Sequence, residues 1–351
     1  MKSVLSKFVA VGAIAALAIL VVSCGDFKKS SVVNAPSNGS VDFSVYVALG
    51  NSLTAGYQSG ALYESAQEYS FPADIARQAG ISPPSANFMQ PLISDPGIGG
   101  RMKILNLNGP VIGSDPAAAG TPLYPTLARP YNNLGIPGAV LYDMIDTTNF
   151  NAKSTARQNP FFSLILRNAA FGNSPVAQAL ALHPTFVSVW IGANDVLGYA
   201  TSGGTNPITD PNIFGFLYGQ LADSLASLNT KVVVATIPAV TAIPYFTTVP
   251  AALKDPASGA IITLYGQTTT GVRALVPGQD LLTLTASTVL LSATGAPTGV
   301  GLSPSNPIPN KYVLDKDEVA KVANTVAAYN QVISGAAAAK GFALVDIYTI
   351  F

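Results

Sequence analysis

The chain has 351 residues, 49% of them apolar and only 10% charged, with 18 acidic against 18 basic side chains. This balance, without any basic stripe carrying interleaved aromatics, excludes a surface whose net field recruits nucleic acid or anionic membrane. One histidine and one cysteine argue against a transition-metal site and rule out an intramolecular disulfide, so neither metal nor cofactor is expected.

Met1 is followed by Lys2 and Lys7, and Phe8 to Val22 then carries no charge. That layout is a signal peptide over residues 1–23, its apolar stretch short of the about 20 residues that a permanent span needs. Val21-Val22-Ser23-Cys24 resembles a bacterial lipobox, which implies cleavage before Cys24, lipidation of that thiol and an exported protein held to the cell envelope by its anchor. Residues 24–40 are rich in Ser, Asn, Lys and Gly and read as a solvated tether. A folded domain is expected over 41–351.

Phe43 to Gly50 reads as a buried strand, followed by helical residues around Ala61 to Gln67. Pro72 and Gly80 bracket a helix within Tyr69–Gly80, Met102 to Leu107 suggests a short strand, and the four prolines between Gly109 and Arg129 suggest a surface loop. Ser174-Pro175 caps a helix to about Leu182, which feeds a strand from Thr185 to Ile191. Phe214 to Leu228 has helical spacing, and Lys231 to Ile237 is a β-branched strand. Residues 246–310 are rich in Thr, Ala, Leu, Pro and Gly and form an insertion with short helix or hairpin character, either a cap beside the site or a surface elaboration. Asp315 with Glu318 makes a capping box before a long helix that Gly341 stops, and Phe342 to Ile347 supplies the last strand. Strands alternating with helices predict an α/β fold whose parallel sheet is covered on both faces, with ligands at the carboxyl ends of its strands.

Two polar clusters fall at such ends: Asn51-Ser52-Leu53 and Gly192-Ala193-Asn194-Asp195. A serine between strand and helix has its hydroxyl near free N–H groups that favour developing negative charge. Gly138, in Asn133-Leu-Gly-Ile-Pro-Gly138, lets the backbone approach a substrate closely, and Asn194 offers a neutral donor. The amides of Ser52 and Gly138 and the Asn194 carboxamide are therefore candidates to converge on a tetrahedral intermediate.

Together these segments resemble the GDSL, or SGNH, hydrolase family. Gly50-Asn-Ser-Leu53 is similar to its first block, with Asn51 where aspartate is usual; Asn133 to Gly138 is similar to the second and Gly192 to Asp195 to the third, while Tyr69 to Pro72 and Ala235 to Pro238 also look like family segments. The resemblance implies a three-layer flavodoxin-like fold, Ser52 as nucleophile and Gly138 and Asn194 in the oxyanion hole. It also implies an Asp-x-x-His motif after the last core strand to activate the serine, and none occurs in this chain.

His183, the only histidine, precedes its strand; about nine residues at about 3.3 Å each put it roughly 30 Å from Gly192, at the opposite edge of the sheet. Asp195 is expected to fix its loop, Asp346 to make a local bond, and Glu64 and Glu68 to be solvated. The chain stops at Phe351, four residues beyond the last strand, and two explanations fit the gap. One is an incomplete reading frame, which the abrupt end after an apolar strand favours; the other is a member that binds without efficient turnover. The function expected is a serine esterase or lipase-like hydrolase acting on a lipid or acylated glycan. A non-catalytic surface lipoprotein binding glycan or lipid and a carbohydrate O-deacetylase are the alternatives.

Overall fold

The computed structural model describes residues 39–106, 111–114, 119–255, 258–292 and 296–351. The signal peptide, Cys24 and all of the tether before Gly39 lie outside these residues. Five strands, β1 (Tyr46–Gly50), β2 (Asn133–Gly135), β3 (Phe186–Trp190), β4 (Lys231–Ala235) and β5 (Ala343–Val345), form one parallel sheet in the order β5-β4-β3-β1-β2. This is the flavodoxin-like order, and its switch point lies at β1, from which the chain runs first to β2 on one side and then to β3 on the other.

Every residue of β1 is buried, and successive side chains enter opposite faces, as in a strand covered on both sides. Val47 and Leu49 enter the large core that also holds Val187 and Val189 of β3, together with α6 (Pro175–Ala181), α8 (Pro211–Ala226) and α9 (Lys316–Lys340). Tyr46 and Ala48 point the other way, with Phe186, into a smaller cluster closed by Phe88 and by Ala76 of α2 (Phe71–Gln78). The sheet is thus the middle of three layers. Phe214 of α8 stacks on Tyr329 of α9 with ring centres 3.9 Å apart and planes 9° from parallel; such a pair contributes about 0.5–1.5 kcal/mol beyond its buried area.

Cap chemistry sets the helix ends. Asp315 accepts from Asp317 N at 3.0 Å and Glu318 N at 3.1 Å, Glu318 reaches back to Asp315 N at 2.8 Å, and Gly341 ends α9 with φ +68°. Ser174 caps α6 with Pro175 in its first turn, as its sequence predicts.

Several local expectations are corrected. The helix near Ala61 is confined to Glu64–Gln67, because Ala61 and Leu62 instead pair in bridges with Gln58 and Ile98. The loop expected from Gly109 contains a strand, Val111–Ser114, antiparallel to Met102–Asn106, with Ile112 in register with Ile104. The last strand ends at Val345, and Asp346 caps a final turn, α10 (Ile347–Ile350). Leu344 and Val345 are 42% and 40% exposed. The insertion holds two hairpins, Ala252–Lys254 with Ile261–Thr263 and Tyr265–Thr268 with Gly271–Ala274, around a core of its own that includes Leu264, Leu275, Leu282 and Ile308. Among the described residues, no helix is long and apolar enough to cross a membrane.

Candidate active site

Ser52 is the first residue of α1 (Ser52–Ala55), directly after β1, so it stands at the switch point of the sheet. Asn51 caps this turn by accepting Leu53 N at 3.1 Å, which an amide oxygen does as well as a carboxylate. α1 is a single turn of four residues, so individual N–H groups, rather than a summed dipole, are available there. Ser52 N–H itself has no acceptor among the described residues.

The turn is pressed against β2. Ile136 N donates to Gly50 O at 3.0 Å, and Asn133 Nδ2 donates to Thr54 O at 2.8 Å and to Gln90 Oε1 at 3.0 Å, while its Oδ1 accepts Gly135 N at 3.0 Å. Asn133 is fully buried, so each of these bonds is protected from water, and losing one would leave a buried polar group unpaired at about 1–3 kcal/mol. Gly135 is required by contact: a Cβ there would lie 2.5 Å from Ala55 N.

Gly138 follows β2 and Asn194 follows β3, so the three predicted residues come from neighbouring strand ends, with Ser52 in the middle. Ser52 and Gly138 line one cavity of about 510 Å³, walled by Tyr57, Ile98, Pro137, Pro160 and Phe161, the first residue of α5 (Phe161–Leu166). Tyr57 and Phe161 meet edge to face with centres 5.7 Å apart. Asn194 opens α7 (Asn194–Thr201) and is joined to the Gly138 turn, its Nδ2 donating to the carbonyl of Ala139 at 2.8 Å; its second amide hydrogen has no acceptor among the described residues.

Asp195 completes that junction. Its Oδ2 accepts Leu141 N at 2.8 Å, at the start of α3 (Leu141–Ile145), and its Oδ1 accepts the Thr209 hydroxyl at 3.0 Å. The structural role expected for Asp195 is therefore what its contacts describe. Burial pushes its carboxyl up to about 6 against the opposing effect of those two bonds.

The remaining candidates fall away from the cavity. His183 is exposed at the amino end of β3, so the whole strand separates it from Asn194. Glu68 is exposed, and neither it nor Glu64 lines the cavity. Asp346 accepts Thr349 N at 3.3 Å, a local cap, and also the Thr236 hydroxyl at 3.1 Å from the end of neighbouring β4, a longer-range bond than expected. Among the described residues, none of the 246–310 insertion lines the cavity, which favours surface elaboration over a cap there. Sequence reasoning missed Asn159, which lines the cavity and donates from Nδ2 to Pro137 O at 2.8 Å; its Asn-Pro dipeptide was the available signal of a turn.

A carboxyl that titrates near 6 when folded and near 4 when unfolded holds more protons in the native state between those values, so it subtracts stability as pH rises through that window. Relative to Asp195→Asn, the native protein is expected to lose about 2–3 kcal/mol of unfolding free energy between pH 4 and pH 7 in urea titrations. A difference between the two that stays constant with pH would contradict the buried carboxyl.

The family model for GDSL-like lipase/acylhydrolase matches residues 46–351. No curated protein and no solved structure matches the chain. The matched span begins at β1 and contains the whole sheet, so the family, an ester-type hydrolase family in general, accounts for the fold as well as for the three sequence blocks. The chain belongs to the GDSL-like lipase/acylhydrolase family.

Proposed function

We propose that the chain is a serine hydrolase of carboxylic esters that works through an acyl-enzyme on Ser52. The observation that carries this proposal is the placing of Ser52 at the switch point, in one cavity with Gly138 and between the strand ends that bear Gly138 and Asn194. Ser52 Oγ attacks the ester carbonyl, and its proton passes to a base. The carbonyl oxygen becomes an oxyanion held by the N–H groups of Ser52 and Gly138 and by the Asn194 amide. Collapse breaks the bond to the alcohol, which leaves with a proton, and water then releases the acid by the same steps. Each such donor typically contributes about 2.7–4 kcal/mol to the transition state. The apolar walls from Tyr57, Ile98 and Phe161 suit the hydrocarbon part of an ester.

Residues 1–351 contain one histidine, and it faces solvent at the far end of β3. No imidazole of this chain thus reaches Ser52, and an unactivated serine is a weak nucleophile. Slow hydrolysis of p-nitrophenyl acetate is expected, accelerated by added imidazole about tenfold or more above the same reaction with Ser52→Ala, since a general base commonly contributes about 10²–10⁴. Equal rates for the two proteins with imidazole present would refute the assignment to Ser52.

Lipidation of Cys24 after signal cleavage would hold the enzyme to the bacterial envelope, where lipids or acylated glycans supply esters. The support is the Val-Val-Ser-Cys24 ending of an uncharged run behind two lysines. In cell fractionation, Cys24→Ser is expected to move the protein from the membrane to the soluble fraction; retention in the membrane would rule out the lipid anchor.

A further inference from the structure

We propose that Asn159 is a positioning residue that sets the plane of the Pro137–Gly138 peptide and so aims the Gly138 N–H at the oxyanion; this rests on the assignment of Ser52 as nucleophile. Ala139 N donates to Ile136 O at 3.0 Å, closing a four-residue turn with Pro137 second and Gly138 third at φ +80°. Those features define a type II turn. A type I turn would join the same flanking residues with the central peptide rotated by roughly 150–170° about its ends, exchanging the directions of its carbonyl and its N–H. The two turns are alternative states of one element, and the direction of one N–H distinguishes them.

Asn159 acts on that choice. Its Nδ2 donates to Pro137 O at 2.8 Å while its Oδ1 accepts Phe161 N at 3.0 Å, so both ends of the carboxamide are committed and its orientation is fixed. A trans peptide holds its carbonyl and N–H in opposite directions. Drawing the Pro137 carbonyl toward Asn159 therefore turns the Gly138 N–H away from it. That N–H has no acceptor among the described residues, and Gly138 lines the cavity with Ser52. Glycine is needed twice over: φ +80° disfavours a side chain, and a Cβ would sit 2.9 Å from Asn159 Nδ2.

The segment behind Asn159 is braced by buried charge. Arg157 reaches Asp143 at 2.7 Å, Lys153 reaches Asp146 at 2.6 Å and Asp143 at 3.7 Å, and Asp143 in turn accepts Val140 N at 2.9 Å. Lys153 and Asp143 are 4% and 0% exposed, so α4 (Phe150–Ala156) is tied directly to α3, the helix that leaves the turn. Asn159 thus works from a fixed base on a peptide that has two available states.

Asn159→Asp separates this role from simple packing. It keeps the size of the side chain and an acceptor for Phe161 N, but puts a carboxylate oxygen against the Pro137 carbonyl and favours the rotated peptide. In the imidazole-assisted assay, kcat is expected to fall about 100- to 1,000-fold with KM within about twofold, on the scale of losing one oxyanion donor. A second readout needs no turnover. With 15N-glycine and 13C-carbonyl proline, only the three Pro-Gly peptides at 96–97, 137–138 and 277–278 give linked signals. A nuclear Overhauser contact from the Gly138 amide proton to the Ser52 β protons is expected in the native protein and is expected to vanish in Asn159→Asp. Persistence of that contact in the variant, or its absence from the native protein, overturns the proposal whatever the ester rate does. A native rate equal to that of Ser52→Ala would instead bring down the hydrolase assignment, leaving the amide contact to report on the peptide alone.

Discussion

The close approach of the Ser52 turn to β2 is the constraint on which the rest of the site depends. Three donors from three strand ends can serve one oxygen only if adjacent backbones come closer than side chains normally permit. Gly135 allows this by leaving Ala55 N room that a Cβ would fill, and buried Asn133 holds the contact with bonds to Thr54, Gln90 and Gly135. The parallel register then fixes the rest: Gly50 lies opposite both Gly135 and Trp190, so β1, β2 and β3 end level with one another. Catalytic groups placed on such ends gain precision from the scaffold instead of from a loop.

The second and third donors are held by a junction that bypasses β1. Asn194 and Asp195 grip Ala139 and Leu141, so the end of β3 and the turn after β2 are locked together across the strand that carries the serine. Asp195 lies at this junction, its charged form disfavoured by burial and partly compensated by its two donors, and Asp143 holds Val140 N beside it. The groups proposed to face a developing oxyanion, two backbone N–H groups and a carboxamide, are all neutral. Neutral, pre-oriented dipoles stabilise charge that appears only in the transition state without attracting a resident anion beforehand.

Much of this was legible in the chain itself. The β1 and β3 runs are mainly apolar, with several β-branched and aromatic residues, so the polar residues that follow them, Ser52 and Asn194, stood out at positions where ligands bind. The capping box of α9 was visible because its bonds join residues three apart. Strand β2 was hidden: it has three residues, begins with asparagine and exists because neighbouring backbone pairs with it, a tertiary effect that no local pattern carries. Asn159 was hidden for a related reason. Its partner, Pro137, is 22 residues away, and nothing in the sequence between them encodes that contact. The insertion showed its composition but not its separate core, since its apolar residues are spread through short hairpins without helical or strand periodicity.

The most direct test of the central claim is a crystal structure of the protein with a phosphonate bonded to Ser52 Oγ, a tetrahedral stand-in for the acyl-transfer intermediate. The phosphonyl oxygen is predicted to lie about 2.7–3.1 Å from Ser52 N, Gly138 N and Asn194 Nδ2 together. An adduct on Ser52 whose oxygen turns to solvent, or a reagent bonded to a different serine, would contradict the account.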